Sequence, residues 1–168
     1  MRNWNNLKFQ PLTRTLSAQS RKWFFDLDVC KYNAHGRMSH QFPNYDQIDS
    51  NNQCLFAVIL QKTNVHIGNV LLDINWVNRS AEYSCIFGER NYWNMGFGFE
   101  ATEMMFIHGF DVLNLNRIWL GTPETNIAMG KIARRLDMVY EGRLMSDMYL
   151  EGEYHDVMRY GILRSAWR

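Results

Sequence analysis

Apolar positions along the chain fall into short blocks, and the spacing within each block predicts its element. Residues 7–12 form a small apolar block closed by Pro11, which predicts an opening strand. From 17 to about 32, Trp23, Phe24, Leu27 and Cys30 recur at helical spacing and predict one helix. Residues 33–53 are polar and turn-rich, with Gly36 and Pro43, and read as a loop carrying a short helix. Three β-favouring blocks follow at 54–61, 65–76 and 81–87, joined closely enough for an antiparallel meander. Residues 97–112 set Ala101, Met104, Met105 and His108 on one helical face. A buried strand at 117–122 and a helix at 126–136 come next, then strands at 139–144 and 156–163 joined across Glu151-Gly152. Helices flanking a mostly antiparallel sheet predict an α+β (mixed α/β) domain. Its parallel crossover is the strand–helix–strand unit over 81–122. No repeat or linker-like stretch divides the sequence, so residues 1–168 read as a single domain.

Composition narrows the function classes. A net charge of +1 gives no overall attraction to nucleic acid or to an anionic membrane. Three widely spaced cysteines argue against a disulfide framework and for a reducing compartment. The first ten residues lack the apolar centre of a signal peptide, and no apolar run reaches membrane-spanning length. The expected setting is the cytoplasm, with neither nucleic acid nor membrane as partner; a homodimer stays open. Cys30, His35 and His40 do not have metal-ligand spacing, so no metal is expected.

The candidate chemistry sits between the 81–87 strand and the 97–112 helix. Gly96 and Gly98 permit close approach of a ligand to the backbone. The first amides of a helix lack intrahelical acceptors, and the dipole there favours negative charge. Such a turn can hold a diphosphate through main-chain N–H groups. Taken alone, the two glycines describe a tight turn with no ligand more readily than a binding site. The third glycine of a dinucleotide fingerprint is replaced by Ala101, and no Gly-Lys-Ser/Thr follows.

The stretch from Ala81-Glu82-Tyr83-Ser84-Cys85-Ile86-Phe87-Gly88-Glu89 through Tyr92-Trp93-Asn94-Met95-Gly96-Phe97-Gly98-Phe99-Glu100-Ala101 resembles the acetyl-CoA motif of RimJ/RimL-type GNAT acetyltransferases. Asn126, Tyr140-Glu141-Gly142-Arg143-Leu144 and the closing Gly152…Asp156-Val157…Tyr160…Leu163…Trp167 continue the likeness, which covers roughly 67–167. It implies a GNAT-like sheet with a splayed parallel strand pair. Residues 1–60 would lie on the acceptor side, 65–136 would form the acetyl-CoA core, and 138–168 the closing hairpin. It also implies direct acetyl transfer from acetyl-CoA to a primary amine in a ternary complex. The acceptor would be a small molecule such as a nucleotide-linked aminosugar. A protein N-terminus or a non-catalytic acetyl-CoA-binding module are the alternatives. Polyamines rank lower, because no strongly acidic groove is evident in the sequence.

The resemblance assigns cofactor contacts to Ile86, Phe87, Gly88, Trp93, Asn94, Met95, Gly96, Phe97, Gly98, Phe99, Asn126 and Lys131. The Ile86 amide would polarise the thioester carbonyl, and Gly88 would continue the pairing. Asn126 is equally an N-cap. Glu82, sharing a strand face with Ser84 and Ile86, is the candidate base. Tyr83, Tyr140 and Tyr154 are candidate acids. Trp23, Tyr32 and His35 are expected to contact the acceptor. Met129 and Ala133 depart from the family pattern, Ala133 standing where many relatives carry a tyrosine acid. Asn94 replaces a common glycine.

Overall fold

The computed structural model describes residues 6–32 and 48–167. Strand β1 (Leu7–Pro11) leads into helix α1 (Arg14–Ser20), whose start is capped by Thr13 Oγ1 accepting from the Leu16 amide at 3.2 Å. A tighter 3₁₀ turn, Arg21–Phe25, follows in place of the longer helix expected over 17–32. The reason is local. Asp26 Oδ1 accepts from the amides of Asp28 (3.0 Å) and Val29 (3.4 Å), a side-chain turn that competes with helix. Phe25 and Leu27 consequently face solvent, while Trp23 and Cys30 are buried.

Strands β2 (Gln53–Leu60), β3 (His66–Asn75) and β4 (Ser80–Phe87) form the expected antiparallel meander. Helix α2 (Phe97–Ile107) runs into one π-turn over His108–Val112, closed by the Leu113 amide on His108 C=O at 3.0 Å. Strand β5 (Arg117–Pro123), helix α3 (Ile127–Arg135) and the hairpin β6 (Val139–Leu150) with β7 (Glu153–Leu163) complete the chain. That hairpin is longer than the apolar pattern indicated. Near Ser146, at φ 52°, the β6–β7 register slips between Leu144 and Met148, which breaks the alternation. The Asp156 carboxylate holds the bulge by accepting from the Ser146 amide at 2.7 Å and from Arg143.

All seven strands form one sheet in the order β1-β2-β3-β4-β5-β7-β6, and β4–β5 is its parallel pair. One face is sealed by α2, with Val70, Leu72, Tyr83, Met105, Phe106, Phe110 and Ile118 in the core. Alternation along β4 follows: Ala81 and Tyr83 are buried, whereas Glu82 and Ser84 are exposed on the opposite face.

Candidate active site

The site begins where the sheet stops pairing. β4 and β5 are in register only over 80–82 against 117–119. Past Glu82 they part, while β4 stays on β3 as far as Phe87 and β5 stays on β7 as far as Pro123. Which main-chain groups the gap exposes follows from ladder geometry. The Gly88 amide donates to Ile67 C=O at 3.0 Å, with Phe87 opposite Gly68. In an antiparallel ladder successive residues turn their polar groups to opposite sides. Ile86 and Gly88 therefore direct their amides to β3, and Cys85 and Phe87 direct theirs to the gap. The expected roles of the Ile86 and Gly88 amides are corrected accordingly: the strand parity is off by one. The Phe87 carbonyl is already taken, by Trp93 Nε1 at 2.8 Å.

At the wide end of the gap lies the glycine turn. Asn94 adopts φ 60° and Gly96 φ 87°. Asparagine is among the few residues that tolerate this left-handed region, which accounts for its replacing glycine at 94. Gly96 caps α2 without a side-chain hydrogen bond, and the first helical bond runs from the Glu100 amide to its carbonyl at 3.1 Å. The amides of Phe97, Gly98 and Phe99 precede that bond and belong to the helix's acceptor-less first turn. A Cβ built on Gly98 would meet Ile132 at an ordinary 3.5 Å. The fold itself leaves room for a Cβ there, so the glycine suits a ligand that must come close to the helix start. An anionic diphosphate fits this donor set.

The gap opens into a cleft of about 1490 Å³. That exceeds the ~300–1,000 Å³ of a site for one small ligand and leaves space for two substrates. Glu82, Ser84, Ile86, Phe87, Trp93, Asn94, Gly96, Phe97, Gly98, Asn126 and Tyr32 all line it. Asn126 is the N-cap of α3, its Oδ1 accepting from the Met129 amide at 3.2 Å. Tyr32 donates from its hydroxyl to Thr125 C=O at 3.1 Å, which ties the N-terminal segment to the start of α3.

Other expected residues lie elsewhere. Met95 points to solvent, and Phe99 lies under the Arg135 guanidinium at 3.8 Å. Lys131 is exposed on α3, outside the cleft lining. Trp23 is only 3% exposed and is a packing residue. Its indole occupies the space a Cβ on Gly88 would need, at 1.9 Å, and Nε1 donates to Glu89 Oε1 at 3.0 Å. Gly88 is thus required by Trp23 rather than by a ligand. Tyr154 is 70% exposed at the hairpin end against Tyr149, ring centres 5.0 Å apart, and does not line the cleft. Tyr83 is buried with its hydroxyl 2.9 Å from Thr102 Oγ1, and burial pushes its pKa well up. Tyr140 is exposed and meets the buried Tyr160 ring edge-on, ring centres 5.6 Å apart. Ala133 is fully buried in the core, so the cleft side of α3 presents Met129 and Ile132 instead. His35 lies outside the described residues. Burial pushes the Cys85 thiol up to about 11, which removes it as a nucleophile at neutral pH.

The cleft lining sets four carboxylates, Asp28, Asp73, Glu82 and Glu89, against two cations, Arg14 and Arg21, and is more acidic than the sequence suggested. Asp73 on β3 stands directly opposite Glu82 on β4 and both line the cleft, as do Asp28 and Glu89. Gln53 on β2 continues the row, its Nε2 3.4 Å from Asp73 Oδ2. Lys22, 2.6 Å from Glu89, holds that carboxyl below the usual range. Asp73 was missed because three strands had to be laid side by side to assemble the row. Its signal was a charge at an outward position of a strand otherwise rich in Val, Leu and Ile. Among the described residues no three metal-ligating side chains cluster, and no helix is long and apolar enough to cross a membrane.

A family model for the acetyltransferase (GNAT) domain matches residues 1–139. The chain belongs to the GNAT acetyltransferase family. Acetyl-CoA is the acyl donor of this family, and the helix start and open strand edge just described fit it. The GNAT chain is 32% identical over 97 residues to spermidine N(1)-acetyltransferase of Escherichia coli K12, covering 58% of this chain and 52% of that one. It therefore spans about half the length of that curated relative. The uncharacterized N-acetyltransferase YnaD of Bacillus subtilis is 27% identical over 146 residues, 84% of each chain. The crystal structure of spermidine N-acetyltransferase from Vibrio cholerae in complex with CoA and spermine superposes with a TM-score of 0.87. Identity there is 25%, with 98% of both chains covered. The RimJ/RimL subtype expected from the motif is replaced by a likeness to spermidine acetyltransferases.

Proposed function

We propose that this chain transfers an acetyl group from acetyl-CoA to a primary amine of a small cationic acceptor, the chemical class to which spermidine and spermine belong. The observation that carries the reading is the Asp73–Glu82 row beside the β4–β5 gap. Asp28, Asp73, Glu82 and Glu89 outnumber Arg14 and Arg21 in the lining, and the resulting negative charge draws a cationic ligand into the cleft. Spermidine acetyltransferases among the relatives support the same class, ahead of the nucleotide-linked aminosugar.

Acetyl-CoA would supply an acyl group already activated as a thioester. The chain would do the rest. The amides of Phe97 and Gly98 hold the anionic end of the donor, and the gap-facing amides of Cys85 and Phe87 pair with its arm. A gap-facing amide is placed to support charge on the carbonyl oxygen. Asp73 holds the acceptor's cation. Glu82 takes the proton from the reacting amine, directly or through water, with Ser84 beside it on the same strand face, while the new C–N bond replaces the C–S bond and CoA would leave as the thiolate. Asn126 steadies the start of α3 and borders the donor.

Acetylation of a panel containing spermidine, spermine, a nucleotide-linked aminosugar and an N-terminal peptide tests the reading, with thiol release and product mass as readouts. Turnover highest on the cationic small amines is expected. Tight acetyl-CoA binding without turnover on any amine would instead establish a binding module.

A further inference from the structure

Asn69 lies on the face of the sheet that carries Glu82 and Ser84. It stands on β3 opposite Ile86, is only 8% exposed, and lines the cleft. His66 fixes which way its amide points. His66 Nε2 is 3.0 Å from Gly68 C=O and 2.8 Å from the Asn69 amide. A carbonyl can only accept, so Nε2 must carry the proton. A protonated Nε2 cannot accept from an NH₂ group, so Asn69 presents Oδ1 to it. The ring is held in turn, meeting Trp23 edge-on at 4.8 Å. Trp23 is anchored over Gly88 and by Glu89. Burial also lowers the His66 pKa and keeps the imidazole neutral.

The consequence is a directed donor. Oδ1 is committed to His66, and Nδ2 with its two N–H groups faces away from the ring at the cleft wall. Among the described residues nothing accepts from it. A ligand that covers this donor without accepting from it strips away its water and leaves it unpaired, so the site rejects such a ligand. The charged nitrogens of a plain polyamine are themselves donors and cannot satisfy it.

We propose that Asn69 is a specificity-determining contact of the acceptor site, and that the preferred acceptor is a cationic amine that also carries an oxygen acceptor, a hydroxyl or a carbonyl. This rests on the amine-acetylating reading above and refines it: among cationic amines, amino alcohols, amino sugars and amino-acid amides are favoured over spermidine and spermine, which stay ahead of an anionic nucleotide-linked aminosugar. His66 is the positioning residue that keeps the donor turned to the cleft.

The test compares cadaverine with lysine amide, which differ by one carboxamide, as acceptors for the full chain with acetyl-CoA. The wild-type kcat/KM is expected to favour lysine amide on the order of tenfold. Asn69→Leu removes that preference through the KM of lysine amide, and His66→Phe reduces it in the same direction. Asn69→Asp replaces the donors with a carboxylate and turns the preference towards cadaverine. Equal wild-type values overturn the inference, as does equal loss on both acceptors in a folded Asn69→Leu variant. Weaker acetyl-CoA binding in Asn69→Leu also overturns it, by assigning the donor to the acyl-donor side. Should Asn69→Leu fail to fold, the wild-type ratio and Asn69→Asp still decide. Acetylation of both amines without discrimination sinks the inference alone. No acetylation of any amine, with acetyl-CoA bound, sinks the functional reading with it.

Discussion

On the proposed reading, the donor side and the acceptor side of this cleft are built from different materials. The donor side is main chain: an unpaired stretch of β4, a glycine turn and the first amides of α2. The acceptor side is side chains from separate strands, Gln53, Asn69, Asp73 and Glu82, roofed by an N-terminal segment that Trp23 pins down. Main-chain recognition constrains where small residues must fall, so it leaves a pattern that reads along the chain. Side-chain recognition leaves single polar residues at outward strand positions, where each looks like ordinary surface.

The largest expected effect breaks the donor side alone. Gly98→Trp should weaken acetyl-CoA binding by about 100-fold, roughly 2.7 kcal/mol, measured by calorimetry. An unchanged thermal midpoint is the control for the fold, since only the Cβ at 98 is shown to meet Ile132 at ordinary contact distance. Glu82→Gln comes next, lowering kcat about 100-fold, as expected for loss of a general base, with acetyl-CoA affinity unchanged. An unaltered pH–rate profile in that variant would take Glu82 out of the role.

Asp73→Asn should raise KM for a polycationic acceptor about tenfold at low salt, and less at high salt where screening already weakens the attraction. A salt-independent KM in the wild type would separate the acidic row from acceptor binding. Gly88→Ala tests the join between the two sides. Its Cβ collides with the Trp23 indole, and overpacking of this kind costs about 1–3 kcal/mol, read as a lower thermal midpoint.

The smallest effect is on acid stability. Hydrogen bonds from Lys22, Arg117 and the Ser146 amide hold Glu89, Glu141 and Asp156 below their ordinary values. Groups with lowered native pKa stabilise the fold above their unfolded pKa and lose that contribution as pH falls through the native one. Denaturant midpoints should be flat above about pH 5 and decline below the usual carboxylate range.

What was legible in the sequence divides along the same line. The meander, the crossover and the turn at Gly96 and Gly98 could be read because periodicity and glycine placement are local signals. The helix expected over 17–32 shortened because Asp26 closes a turn with its own side chain, a competition that apolar spacing does not register. Ile86 was placed on the right strand and given the wrong direction. Parity depends on pairing with β3, which lies outside the strand's own sequence. Trp23 looked like an acceptor contact because an aromatic near a cleft and an aromatic beneath it have the same one-letter signature. Asp73 stayed hidden until β3 lay beside β4.

The short β4–β5 ladder also has a mechanical meaning. With three residues of register between them, β1–β4 and β5–β7–β6 are two plates joined along a seam at one end. Core packing beneath Ala81 and Ile118 keeps the seam closed, while at the far end no strand pair joins the plates and the Tyr32–Thr125 hydrogen bond bridges them instead. Amide exchange should therefore be slowest at the seam and faster along the open edge of β4. A donor lying in the gap would act as the missing rung and stiffen the whole sheet.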